Sequence, residues 1–401
     1  MKLWQKVFLG LILGVAFGRY LPQYVEVVKP VGTVFLRLIK MVIVPLLFFS
    51  LVSGIIGMKD PGSIGRIARK SIVAYLGTTC LAVMFGLGVG YLLEPGTGVK
   101  LDLGQELQTV SSSHSFGLLN FFIEIVPDNI FTAVAEARVL QVVFFSVFTG
   151  IMINSLGSSA DPIRELIHSA AKLVLKMIAV IVQLSPYAAF SLTAWVIGEQ
   201  GIDIIFTLGK LVQAIIFAFI LQYIVYGLII VIFCRMSPIP FYKKSIEYQM
   251  IAMSTGSSKA SLSTTMQVCQ QKLGVSETST SFVLPIGASI NMNGLSIKLG
   301  LSTIFFAQVM GIDLAFADYI IIILTGTLGS IGGAGIPGSL IIMLPIMLSS
   351  VGLPIEGVAF LVGIDRVLDL LSTTINITGD AAITLVVDNS EGTLDKEMYN
   401  S

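Results

Sequence analysis

No charged residue interrupts the chain from Ile215 to Cys234, and further apolar runs recur at Met41–Ile56, Ile72–Leu93, Val139–Ile153 and Tyr319–Leu324. Several reach the length of about 20 residues that spans a hydrocarbon core. Inside lipid a backbone must satisfy its own polar groups, so runs of this kind fold as helices. Composition agrees: hydrophobic residues make up 55% of the 401 and charged residues 12%, against about 25% charged in soluble proteins. Helical spans are read at 5–27, 31–57, 70–93, 138–156, 166–198 and 204–234. Residues 96–137, with Pro95-Gly-Thr-Gly, Ser111-Ser-Ser and Pro127-Asp-Asn, read as a polar loop leading into interfacial structure.

The remaining composition excludes several functions. A net charge of zero gives nucleic acid nothing to bind. Cys80, Cys234 and Cys269 lie far apart, without metal-ligand spacing or a disulfide framework. His114 and His168 are the only histidines, which argues against a histidine-based catalytic or zinc site. Lys2 and Lys6 precede the first apolar run, and Lys59, Arg66, Arg69, Lys70, Arg235, Lys243 and Lys244 cluster at loop positions. The positive-inside rule puts these loops and the N-terminus in the cytoplasm, for a multi-pass protein of the cell (plasma or inner) membrane.

The second half departs from a plain series of helices. Ser254-Thr-Gly-Ser-Ser-Lys-Ala-Ser-Leu-Ser-Thr-Thr265 is a hydroxyl-rich block between two short apolar segments, and Thr325-Gly-Thr-Leu-Gly-Ser-Ile-Gly-Gly-Ala-Gly-Ile-Pro-Gly338 is a glycine-rich one. Two interrupted segments in corresponding places point to re-entrant hairpins around a transport site. Each block alone reads more readily as small residues that let helices pack closely. Between them Gly287-Ala-Ser-Ile-Asn-Met-Asn-Gly-Leu-Ser296 breaks a helix, although Asn291 alone would also serve as an interhelical hydrogen-bonding residue. The last apolar segment carries Asp365, Asp369, Ser372, Thr373, Asn376 and Asp380, within about a third of a helix circumference. A charge at mid-bilayer costs about 3 kcal/mol, so this edge is expected to face a cavity, an ion or a solute. An intramembrane aspartyl protease would need aspartates from two helices; here they share one, no Gly-x-Gly-Asp occurs, and no enzyme is expected.

These blocks resemble the glutamate transporter homologue family, the dicarboxylate/amino acid:cation symporters. The resemblance rests on the serine-rich block, Asn291-Met-Asn-Gly294, Ser330-Ile-Gly-Gly-Ala-Gly-Ile-Pro-Gly338 and Asp365-x-x-x-Asp-x-x-Ser-Thr-x-x-Asn-x-x-Gly-Asp380. Arg37–Ser50 and Tyr75-Leu-Gly-Thr-Thr79 are similar to the family's second and third helices. The resemblance implies an all-α polytopic membrane protein of eight transmembrane helices and two re-entrant helical hairpins. It implies a trimerising scaffold, 1–69 (helices one and two) and 96–200 (helices four and five). A mobile transport domain would hold helix three at 70–95 and residues 201–390, with helix six, a hairpin at 246–273, helix seven, a hairpin at 317–350 and helix eight; 391–401 is a polar tail. The expected assembly is a homotrimer in a lipid bilayer, working by an elevator motion.

Carried over residue by residue, the resemblance implies a substrate site of Ser257, Ser258, Leu295, Gly335, Asp369, Ser372, Thr373 and Asn376, with Asp369 on the substrate ammonium and Asn376 near its α-carboxylate. The family arginine for a second carboxylate is Ser372 here, and the nearby threonine is Leu295. Neither can neutralise a buried carboxylate, so the expected substrate is a small neutral amino acid of the serine, threonine or alanine type, cotransported with sodium. The alternative is an acidic amino acid, glutamate or aspartate, with sodium or proton coupling. One sodium site is implied at Gly287, Asn291, Asn376 and Asp380, and a weakly encoded second at Ser289, Ser330 and Ile331. A third, at Tyr75, Thr78, Thr79 and Asn293, has lost the family's aspartate to Asn293 and is expected to be lost or weak. Arg366 is read as a partner for Asp365 and Lys259 as snorkelling; contact with an acidic substrate is the alternative for both. Lys298 either snorkels or stands in for the third ion.

Overall fold

The structure is a computed structural model. It describes the chain apart from residues 1–2, 57–62, 99–122, 124–125, 137, 202, 334–338, 356–357, 359–360 and 362–363, and apart from some side chains within helices, that of Arg366 among them. The polar loop after residue 98 therefore lies largely outside the described residues. Every regular element described is helical.

The first half runs α1 (Leu3–Tyr20), α2 (Val25–Ile56), α3 (Ser63–Leu93), α4 (Ile130–Ala135), α5 (Val139–Ser155), α6 (Asp161–Val182), α7 (Ser185–Gln200) and α8 (Asp203–Ile229), which ends in a π-turn, Ile230–Cys234. Prolines set two breaks that hydropathy hides. The span read at 166–198 is two helices, because Pro186 lies in the first turn of α7, where its missing N–H costs nothing. Pro22 ends the first helix at Tyr20, earlier than the 27 read from sequence, and α2 starts at Val25 with Pro30 and Pro45 inside it.

The second half begins with a pair, α9 (Ile239–Thr255) and α10 (Ser258–Gln271), starting at Ile239 rather than 246. Its tip is Gly256 at φ +63°, a left-handed conformation that glycine adopts without strain. The Ser257 hydroxyl then caps α10 by accepting from the Ala260 N–H at 3.3 Å. Next come α11 (Glu277–Ile290) and α12 (Asn293–Met310), interrupted at Asn291-Met292. A second pair, α13 (Phe316–Gly332) and α14 (Ser339–Ser350), meets across the undescribed 334–338. The long α15 (Asp365–Glu391) and the short α16 (Lys396–Asn400) close the chain.

Packing sorts the helices into two groups. α1 lies along α7, and α2 packs on α5, α6 and α7. In the other group α12 is central, buried along nearly its whole length, and touches α3, α8, α13, α14 and α15. α13 and α14 lie against α2 and join the groups. Among the described residues, three helical stretches are long and apolar enough to cross a membrane: Arg66–Leu93, Leu208–Cys234 and Leu368–Glu391. The exterior is apolar, with Leu13, Phe148, Ile220, Ile232 and Phe233 exposed, as a surface facing hydrocarbon requires.

Candidate functional site

The aspartate edge of α15 is turned inward. Asp365, Asp369, Ser372, Thr373, Asn376 and Asp380 are all buried. An apolar cavity of about 240 Å³ on the far side of the helix is lined by Leu371, Thr374 and Ile375 together with residues of α8 and Met253. α15 thus separates a polar interior from an apolar flank.

At the C-terminal end of the stripe, Asn291, Gly287 and Asn376 meet Asp380. Its Oδ1 accepts from Asn291 Nδ2 at 2.8 Å, and the same amide donates to the Asn376 carbonyl at 3.3 Å. A Cβ on Gly287 would lie 2.6 Å from Asp380 Oδ1 and 2.5 Å from the Tyr75 hydroxyl, so only glycine admits the carboxylate here. Asn291 Oδ1 is buried and accepts no hydrogen bond. An unfilled buried oxygen beside a carboxylate and backbone carbonyls is a donor set for a small hard cation. The structure therefore brings Gly287, Asn291, Asn376 and Asp380 together.

Asn293 lies nearby with its amide satisfied at both ends: Oδ1 accepts from Thr79 Oγ1 at 3.0 Å, and Nδ2 donates to the Tyr226 hydroxyl at 2.8 Å. The Thr78 hydroxyl donates to the Tyr75 carbonyl at 3.1 Å, and the Tyr75 hydroxyl to the Val283 carbonyl at 3.2 Å. Tyr226, on α8, had no sequence signal beyond its place in an apolar run. Of the weaker set, Ile331 packs on the cluster holding Ile290 and Tyr75; Ser330 and Ser289 return their hydroxyls to the carbonyls of Thr327 and Pro285.

The stripe meets the start of α12 at Gly294. Its N–H donates to Asn376 Oδ1 at 2.8 Å, and a Cβ there would fall 2.5 Å from Ser372 Oγ. Leu295, buried, reaches the end of α13, where a Cβ on Gly333 would lie 2.7 Å from its Cδ2. The Thr373 hydroxyl donates to the Asp369 carbonyl at 2.8 Å. Ser258, buried, and Lys259, exposed, open α10, which packs on α15. Gly335 and the Arg366 side chain lie outside the described residues.

Lys298 sits one turn along α12 from Leu295 and is fully buried. Its ammonium donates to Asp365 Oδ1 at 2.8 Å and to Asp369 Oδ1 at 3.3 Å. Snorkelling is thereby excluded, and among the described side chains Lys298 is a cation paired with Asp365. The pairing was invisible in sequence because 67 residues separate Lys298 from Asp365.

A family profile described as the sodium:dicarboxylate symporter family matches residues 3–390. The chain is similar to the C4-dicarboxylate transport protein of Agrobacterium fabrum, 33% identical over 98% of this chain and 89% of the relative. It is also similar to the proton/sodium-glutamate symport protein of Geobacillus stearothermophilus, 31% identical over 98% and 95%. The proton/glutamate-aspartate symporter of Escherichia coli is 31% identical over 98% and 94%. A profile match along nearly the whole chain and a buried carboxylate stripe of the kind a membrane solute site needs lead to one conclusion: the protein belongs to the sodium:dicarboxylate symporter family.

Proposed function

We propose that this symporter takes up a small neutral amino acid of the serine, threonine or alanine type together with sodium. The observation that carries the reading is the charge of the cluster at Asp365, Asp369 and Lys298, two carboxylates and one ammonium. An incoming ammonium at Asp369, the more distant of the two carboxylates, would find an anion there while Lys298 keeps Asp365, the nearer one. A plain dicarboxylate would add negative charge where it cannot be solvated. Ser372 and Leu295 offer a substrate side chain a hydroxyl and an apolar wall, which suits a small neutral group.

Sodium is the expected cargo at Gly287, Asn291, Asn376 and Asp380, supported by the unfilled Asn291 oxygen. The site at Tyr75, Thr78, Thr79 and Asn293 is read as lost, since Asn293 spends its oxygen on Thr79 and brings no anion. Ser289, Ser330 and Ile331 are read as a weaker second sodium site. In this reading α9/α10 and α13/α14 are re-entrant hairpins gating the site, with Ser257 and Ser258 at the tip of the first and Gly335 a further substrate residue. The group built on α12 would slide as one body past the α2 group, in a homotrimer in the plasma or inner membrane with its N-terminus in the cytoplasm. Two relatives that are glutamate or glutamate-aspartate symporters favour a second reading, uptake of glutamate or aspartate, for which Lys259 is an exposed cation at the tip of the first pair.

Uptake of radiolabelled serine into proteoliposomes separates the readings. Sodium-dependent uptake that excess alanine suppresses and aspartate leaves intact is the expected result. Suppression by aspartate alone would assign the acidic substrate, and uptake unaffected by removing sodium at constant pH would refute sodium coupling.

A further inference from the structure

Lys298 is the one charged residue of α12, flanked by Ile297 and Leu299 in a helix buried along nearly its whole length. A lysine in such a place has to be matched by anions, and here two carboxylates hold it at 2.8 and 3.3 Å. That is the arrangement of a bound monovalent cation: one compact positive charge, oxygen ligands from a neighbouring helix, and no solvent contact. The difference lies in the tether, since four methylenes fasten this cation to α12.

We propose that Lys298 is a built-in cation, its ammonium permanently filling a cation position between Asp365 and Asp369. When an amino acid arrives, its own ammonium takes over Asp369, and Lys298 stays on Asp365, the nearer carboxylate. The transporter consequently needs no free ion at this position, and its sodium requirement is confined to sites elsewhere. The built-in cation stands on the ion pair alone; the hand-over rests on the amino acid reading above.

Truncating the tether turns the position into a site for a free cation. Purified Lys298→Ala protein in detergent should melt below wild type and be restabilised by methylammonium chloride, but not by tetramethylammonium chloride, whose cation is too large. Wild type should respond to neither. The charge-balanced double variant Lys298→Met with Asp365→Asn should recover the Tm. It should also bind serine, because Asp369 is left for the substrate ammonium. Absence of a methylammonium response in folded Lys298→Ala overturns the built-in cation. Should Lys298→Ala yield no folded protein, a folded double variant supports the charge role and an unfolded one overturns it. A methylammonium response in Lys298→Ala, with wild type binding no amino acid, keeps the built-in cation and removes the amino acid reading.

Discussion

At the scale of single residues, the cluster at Lys298 separates two jobs that a carboxylate stripe could have shared. Asp365 lies closer to the ammonium and is fully buried; Asp369 is farther and slightly more open. Replacing Asp369 therefore leaves Lys298 paired with Asp365, so the fold should survive, while on the proposed reading the substrate would lose its anion. Asp369→Asn is expected to keep the wild-type Tm and to weaken amino acid binding by at least about a hundredfold, the usual cost of removing one partner of a buried charged pair. Calorimetric titration checks this, and an unchanged affinity would refute the role given to Asp369. Asp380 differs because it meets Asn291 and the space that Gly287 leaves, and among the described residues no lysine pairs with it. Its surroundings suit a hard ion and not an organic cation.

At the scale of elements, close approach decides the packing. On α1, Gly10, Gly14 and Gly18 face α7, and a Cβ at each would fall 2.4, 2.7 and 2.5 Å from the carbonyl oxygens of Pro186, Phe190 and Ala194. Lipid supplies no hydrophobic drive between helices, so backbone contact over such a ridge supplies the attraction instead. The clash is with backbone and cannot be relieved by a rotamer change. Gly14→Val is expected to cost about 1–3 kcal/mol and to lower the Tm in detergent; a Tm equal to wild type would show that the ridge does not hold α1. The same logic applies where α12 meets α15, but there the glycine (Gly294) also lends its N–H to Asn376, so packing and site share one residue.

For the whole molecule, the two groups of helices touch chiefly through α13 and α14 against α2. A limited contact suits relative motion, and the ion pairs of Glu391 with Arg66 and Lys70, at 2.7 and 2.6 Å, tie α15 to α3 within one group. A reversible disulfide between cysteines placed on α2 and α14 should stop uptake while leaving substrate binding intact, and reduction should restore transport. Full uptake in the cross-linked protein would exclude a sliding motion. The energetics suit the proposed coupling: a tenfold sodium gradient supplies about 1.4 kcal/mol, and about 100 mV adds about 2.3 kcal/mol per charge. Each sodium ion thus brings about 3.7 kcal/mol, enough to concentrate a zwitterion several-hundred-fold.

What the sequence determined by itself was local: hydropathy marked the helices, Asn291-Met-Asn-Gly294 the break between α11 and α12, and the periodicity of α15 one buried polar edge. These follow from short-range chemistry, because helical period and backbone freedom depend on neighbours a few residues away. The division at Pro186 was equally local, but a continuous apolar pattern concealed it. The tertiary structure alone decided that Lys298 turns to Asp365 and Asp369, that Asn293 is spent on Thr79 and Tyr226, and that Gly287 and Gly294 are gaps shaped for Asp380 and Ser372. Which anion a buried cation meets depends on how helices far apart in the chain cross, and no periodicity within one helix records that.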